Sequence, residues 1–256
     1  MFFKNCAEIL SVYGTSLLVG VRTTLIVSLS GTAFGLILGL IVGGLRAVKL
    51  DFTASPAVRI LKGIFDVIAN IYITLFRGTP MMVQAVFIYY ALLHVIHWNT
   101  LTAAIVVISI NTGAYMAEII RSGIQAVDPG QTEAARSLGM SNAETMRAVV
   151  LPQAIRNAFP AIGNELIVNI KDSSVLMIIS ITELMFQAKS IAGSTFHFTE
   201  TYFIEAMIYL MLTSIASLIL NMIEKKMNHK ADLSVPMSDT TPENSKFIHI
   251  RSGERG

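Results

Sequence analysis

With 53% hydrophobic and only 14% charged side chains over 256 residues, and a mean hydropathy of +0.62, the chain is far from a soluble domain, in which about 25% of residues are charged. A formal net charge of +2 is too small to imply nucleic acid as a partner. The single cysteine, Cys6, excludes an intrachain disulfide framework or a thiolate metal cluster, and the five histidines show no metal-ligand spacing.

A helix that crosses a bilayer needs about 20 mostly apolar residues, and five segments qualify. The N-terminus carries Lys4 in a mixed stretch unlike a cleavable signal, so the first hydrophobic segment is expected to stay as an anchor. That segment covers 23–45, preceded by an amphipathic surface helix over 7–21. Gly31, Gly35, Gly39 and Gly43 share one face of it, where small residues admit a neighbouring helix closely. Arg46, Lys49, Arg59 and Lys62 follow and place this loop on the cytoplasmic side, with the N-terminus outside. Residues 60–96 are interrupted at Arg77-Gly78-Thr79-Pro80. Either a long helix kinks at Pro80, or an interfacial helix leads into a span starting near Thr79. His94, His97, Trp98 and Asn99 form the outer turn.

The third span, 101–120, returns to the cytoplasm at Arg121. A loop over 122–161 carries Arg136, Arg147 and Arg156. The fourth span, 162–185, holds Lys171 and Asp172, and the fifth, 202–223, ends on Lys225-Lys226. The expected fold is an all-α integral membrane protein of about five transmembrane helices. Its parts are an N-terminal extracytoplasmic segment (1–22), a membrane domain (23–223) and a disordered cytoplasmic tail (224–256).

The polar insert between spans three and four is the most structured of the loops. Asp128-Pro129 is a helix start, Gly139 suits a left-handed C-terminal cap, and Ser141-Asn142-Ala143-Glu144 has capping-box spacing. The second helix is expected to end near Leu151, because Pro152 follows. Two short helices at an angle make a rigid docking surface rather than a linker.

Glu133-Ala134-Ala135, three residues, Gly139, nine residues, then Val149-Val150-Leu151-Pro152 resembles the EAA loop of importer permeases of the ATP-binding cassette class. The family usually has Ile at the position of Val149. The polar amino acid branch is matched by Phe76-Arg77-Gly78-Thr79-Pro80 with Met81-Met82-Val83-Gln84, by Ala114-Tyr115-Met116-Ala117-Glu118 leading to Arg121, and by Asn169-Ile170-Lys171-Asp172-Ser173-Ser174-Val175. Ser173 and Val175 depart from the family's Lys-Asp-Thr-Ser-Leu. The resemblance covers residues 20–223. It implies a permease in the bacterial cytoplasmic membrane that pairs with a second copy or sister permease, two cytoplasmic ATPase subunits and an extracytoplasmic solute-binding protein. Glu133, Ala134, Ala135, Arg136, Gly139, Leu151 and Pro152 would be the ATPase-coupling residues. The chain lacks a G-x-x-x-x-G-K-[ST] phosphate loop, so ATP and Mg would sit on the partner ATPase. No cofactor, metal ligand or catalytic group is expected in this chain.

A charge in the bilayer core costs at least ~2.5 to 3.5 kcal/mol, so it usually faces a cavity or a partner. Lys171, Asp172, Ser173 and Ser174 are therefore candidates for a polar cavity that takes both charges of an amino acid, in agreement with the resemblance. The alternative is an ion pair of this site with Glu118 or Arg77. Asn111, Tyr115 and Glu118 share a helical face at i, i+4 and i+7 and could complete the cavity, although Glu118 also stands in ion-pair register with Arg121. Arg77 is a further candidate and Gln84 a weaker one. Glu165 and Glu183 are expected to be solvated near the ends of their span. The competing function is an ion-gradient-driven secondary transporter, with Glu118, Lys171 and Asp172 on the ion path.

Overall fold

The computed structural model describes the backbone of residues 1–48, 50 and 55–232, with side chains to residue 227. The described chain is helical. Its long elements are α1 (Phe2–Ala47), α2 (Pro56–Gly78), α3 (Met81–Ile96), α4 (Thr100–Gln125), α5 (Pro129–Ser137), α6 (Asn142–Thr145), α7 (Leu151–Asp172), α8 (Leu184–Thr195) and α9 (Phe198–Asp232). Helices α1, α4 and α9 are long and apolar enough to cross a membrane, and two bent pairs bring the total to as many as five spans.

The expected surface helix and first span are one continuous helix, α1, of 46 residues. At 1.5 Å per residue it is about 69 Å long, more than twice the ~30 Å hydrocarbon core. No Pro interrupts residues 2–47, so nothing in the sequence ends the helix between the two parts. Cys6, Ile9 and Leu17 of its first turns pack against Leu184, Ile191 and Ile204, tying this end to α8 and α9.

The glycine face of α1 lies on α4, the most extensive helix pairing in the molecule. A Cβ on Gly31 would lie 2.1 Å from Ile108, one on Gly39 2.3 Å from Met116, and one on Gly43 2.5 Å from the carbonyl oxygen of Ala117. Without Cβ atoms the two backbones approach closely, as small-residue interfaces in membranes do. Asn169 of α7 staples the pair: its Nδ2 donates to Thr32 Oγ1 at 2.8 Å and to Thr112 Oγ1 at 3.0 Å. Gly39→Leu is expected to separate α1 from α4 at a cost of about 1–3 kcal/mol or more. Thermal unfolding of the detergent-solubilised protein, followed by the loss of monodisperse material, should show a clear drop against Gly44→Leu, because a Cβ at Gly44 meets nothing.

Between α2 and α3 the chain turns by 115° at Thr79-Pro80, which selects an abrupt break over a kinked single helix. Pro80 takes the N-cap position of α3 in extended backbone. Gln84 closes the break, its Nε2 donating to the carbonyls of Phe76 and Thr79 and to Thr79 Oγ1. At the other end His97 caps α3 in the left-handed region, and the Asn99 side chain accepts from Thr102 N at 2.8 Å to start α4.

The fourth span is broken too. Helix α7 ends at Asp172, a 3₁₀ segment covers Ser173–Ile179, Ser180 adopts φ 64°, and α8 leaves at 57° to the preceding pair member. Helix α9 runs to Asp232, so residues 224–232 continue this helix rather than the tail. The rest of the expected tail, 233–256, lies outside the described residues.

Candidate functional site

The insert is built as its capping residues dictate. Asp128 accepts from Gly130 N at 2.8 Å and starts α5, with Pro129 in the first turn. Gly139 takes φ +84° after α5, the left-handed conformation that glycine adopts without strain. Ser141 and Glu144 form a full capping box at α6. The predicted end near Leu151 is a correction. Instead of stopping, the chain widens into a π turn over Met146–Val150, where Leu151 N donates to Met146 O, and continues as α7 with Pro152 in its first turn. The wide turn leaves room for the ring of Pro152, which would clash with a carbonyl in regular helix.

Of the coupling candidates, Glu133, Ala134, Arg136 and Gly139 are exposed, Ala135 is buried, Leu151 is half-buried and Pro152 exposed. Leu138 at the elbow is 84% exposed, an apolar side chain in water where a monomer gains nothing from it. Beneath the elbow, Val127, Val150 and Ala154 form a small core with Ile124 and Met146. A Cβ on Gly123 of α4 would lie 2.6 Å from the Ala154 carbonyl of α7. The insert is therefore clamped to both helices that leave it.

Glu144 is exposed on this insert. Its carboxyl is held below the ordinary carboxylate range by hydrogen bonds from the Ser141 backbone and hydroxyl. A depressed folded-state pKa means that the cap stabilises the insert above the unfolded value and is lost as pH falls through the lower folded value. A ¹³C titration of Glu144 is expected to show a midpoint below that of an ordinary glutamate, and Ser141→Ala should raise it.

Helix α7 carries the connection inward. A cavity of about 620 Å³ is lined by Tyr115, Glu118 and Ser122 of α4, by Asn157, Ala161, Asn164 and Glu165 of α7, and by Arg77 of α2. The Arg77 guanidinium lies 5.3 Å from the centre of the Tyr115 ring, within cation–π range. Glu118 is held by Arg46 Nη1 of α1 and Arg121 Nη2, each at 2.8 Å, with Arg77 Nη1 at 3.8 Å. The i, i+3 pair with Arg121 is thus present, and Arg46 adds a partner from 72 residues away.

The other sequence candidates fall differently. Asn111 does not reach this cavity. It is buried and donates to Gln84 Oε1 at 2.8 Å, bracing the Thr79-Pro80 break. Ser173 is fully buried, its hydroxyl donating to Ile170 O, so it presents nothing to a cavity. Ser174 is half-buried. Lys171 is exposed on the protomer and Asp172 is half-buried. Asp172 is not among the residues that line this cavity. Glu165 is half-buried and lines the cavity. Glu183 is fully buried, not solvated: it caps α8 by accepting from Met185 N at 2.8 Å and Phe186 N at 2.7 Å, and Tyr209 donates to it. Asn169, which opens the Lys171-Asp172 motif, and Glu205 are buried as well. An Asn or Glu in an apolar span is itself the signal for an interhelical contact. Among the described residues no group of three or more His, Cys, Asp or Glu side chains could hold a metal ion.

Comparison with known proteins agrees with this architecture. The chain is 37% identical over 214 residues to the glutamine transport system permease protein GlnP of Escherichia coli (strain K12), covering 82% of this chain and 92% of the relative. It is 37% identical over 211 residues to the probable amino-acid ABC transporter permease protein YckA of Bacillus subtilis (strain 168), covering 82% and 88% respectively. A crystal structure of an amino acid ABC transporter with histidines superposes with a TM-score of 0.74 at 38% identity, over 85% of this chain and 96% of the other. An inward-facing methionine ABC transporter shares the fold at a TM-score of 0.71 and 21% identity, over 84% of this chain and 97% of the other. None of these relationships supports the ion-gradient alternative. Residues 35–229 match the family described as binding-protein-dependent transport system inner membrane component, and the chain belongs to that family.

Proposed function

We propose that this chain is the permease subunit of an ATP-driven importer that moves a polar amino acid into the cell by alternating access. The observation that carries the substrate class is the cavity beside α7. There Arg77 offers a cation and Glu165 an anion, a complement to the carboxylate and ammonium of one zwitterion. Relatives named for glutamine and amino-acid transport support the same class. Arg77 and Tyr115 hold the substrate carboxylate end and Glu165 the ammonium end, with Asp172 about two turns further along α7 adding negative charge near it. Lys171, Ser174 and Glu118 tune the field around them.

Residues 122–161 dock on a cytoplasmic ATP-binding cassette ATPase dimer, which binds ATP and Mg; this chain binds no cofactor. Exposed Glu133, Ala134, Arg136, Leu138 and Gly139 meet the ATPase, while Ala135, Leu151 and Pro152 hold the insert in shape. A second copy or sister permease completes the path, and an extracytoplasmic solute-binding protein delivers substrate. The N-terminus is outside and the C-terminus cytoplasmic, following the basic loops. The ATPase drives the cycle by binding one permease conformation better than the other.

The test is to reconstitute the complex with its binding protein and screen amino acids for stimulated ATP hydrolysis. Stimulation by one or a few polar amino acids is the expected result. Equal hydrolysis with every ligand overturns the substrate class.

A further inference from the structure

On the side of Glu118 that faces α1 and α2 lies a second cavity, of about 280 Å³, lined by Arg46, Asn70, Thr74, Arg77, Glu118 and Arg121. Within its own lining the charge does not balance, although Arg77 also borders the larger cavity that holds Glu165. One carboxylate faces three guanidiniums, at 2.8, 2.8 and 3.8 Å, leaving a formal excess of two positive charges. The donors do not balance either. Arg46 reaches Glu118 through Nη1, and Arg121 reaches Glu118 and Gln125. Arg77 at 3.8 Å is too far for a hydrogen bond. Each guanidinium carries five N–H donors, and among the described residues most of those in the cavity have no hydrogen-bond acceptor. Asn70 and Thr74, one turn apart on α2, line the same wall and have no protein partner among the described residues.

We propose that this cavity binds a phosphate group, and that the phosphate belongs to the headgroup of an anionic phospholipid. Arginine clusters match phosphate through several parallel N–H donors, and basic pockets between membrane helices hold anionic headgroups. The lipid source follows from the surroundings. Arg46 lies in the last turn of α1, at the end of an exposed apolar row of Ile37, Ile41 and Leu45. Helix α2 presents a further exposed row of Ile64, Ile68, Ile71 and Leu75. A headgroup in the cavity leaves its acyl chains beside these rows. The bound phosphate neutralises the excess charge and links α1, α2 and α4 at one point, next to the wall that Arg77 and Glu118 share with the larger cavity.

Native mass spectrometry of the protein from mixed phosphatidylglycerol and phosphatidylethanolamine nanodiscs reads the site directly. Retention of phosphatidylglycerol over phosphatidylethanolamine is expected. It should fall roughly fivefold in Arg46→Gln, the loss of about one basic residue's attraction for an anionic lipid, and also in the double variant Asn70→Leu/Thr74→Val, which leaves the Glu118 ion pairs intact. Lys189→Gln, an exposed charge elsewhere, should retain lipid as before. Equal retention of the two lipids, or full retention in both cavity variants, overturns the proposal. A parallel thermal-shift series with inorganic phosphate separates the sources. Stabilisation by free phosphate without retained lipid would keep the phosphate chemistry and overturn the lipid as its origin.

Discussion

Gly139→Val is expected to reduce ATP-driven uptake while ATP hydrolysis continues. Gly139 has φ +84°, and no heavy atom lies within 4 Å of where its Cβ would stand. The substitution therefore adds no clash and acts through the backbone alone. A β-branched residue in the left-handed region costs about 1–3 kcal/mol, and the elbow can relieve that strain by changing the angle between α5 and α6. Helices α5 and α6 would then meet the ATPase with altered geometry, while the core of Val127, Val150 and Ala154 keeps the insert attached to α4 and α7. Uptake is expected to fall by roughly 5- to 100-fold, the range of rates that such an energy spans, with a smaller fall for Gly139→Ala. The measurement is uptake and hydrolysis in the same proteoliposomes. Unchanged values in both would remove the elbow from coupling, and parallel loss of both would make it a docking element only.

Glu165→Gln should have the other large effect. Glu165 lines the same cavity as Arg77, and its carboxylate is the closest match in that lining to a substrate ammonium group. A hydrogen bond to a charged group is worth about 1.5–3 kcal/mol, so its loss should lower uptake by roughly 10- to 100-fold. The substitution keeps the shape of the side chain, so the amount of assembled protein should not change. Substrate-stimulated hydrolysis at limiting substrate should drop with uptake and recover in part at high substrate. Lys171→Met is expected to have a smaller effect in the same assay, because Lys171 is exposed on the protomer and absent from this lining. Normal uptake by Glu165→Gln would remove the cavity from the substrate path.

The parts of this molecule that are local in the sequence were legible there. Capping is a relation over three or four residues, so Asp128, Gly139 and the Ser141–Glu144 box could be placed, and each is seen. The glycine face of α1 was visible as a four-residue repeat, and its partner is α4. Relations set by tertiary packing were not legible. Asn111 has a partner 27 residues away in Gln84, and Asn169 bridges to Thr32 over 137 residues. Proximity to a span end suggested that Glu165 and Glu183 were solvated. The break after Asp172 instead folds Glu183 inward as a cap for α8. Pro152 looked like a terminator because the widening of the preceding turn into a π helix carries no sequence signature of its own.

Helix α7 joins the insert to the cavity lining. It begins at the clamped base of the insert, and Glu165 lies fourteen residues beyond Leu151, or about 21 Å of helix. Pro160 lies between them and removes one backbone hydrogen bond, a natural point of bending. In the proposed cycle, movement of the insert would reach the cavity through this one element, whose far end Asn169 ties to α1 and α4.

Uptake by proteoliposomes containing the complex, its ATPase and its binding protein tests the energy source directly. Labelled polar amino acid should accumulate only with ATP supplied on the ATPase side, and an imposed proton or sodium gradient without ATP should produce none. Accumulation driven by the gradient in the absence of ATP would contradict an ATP-powered permease.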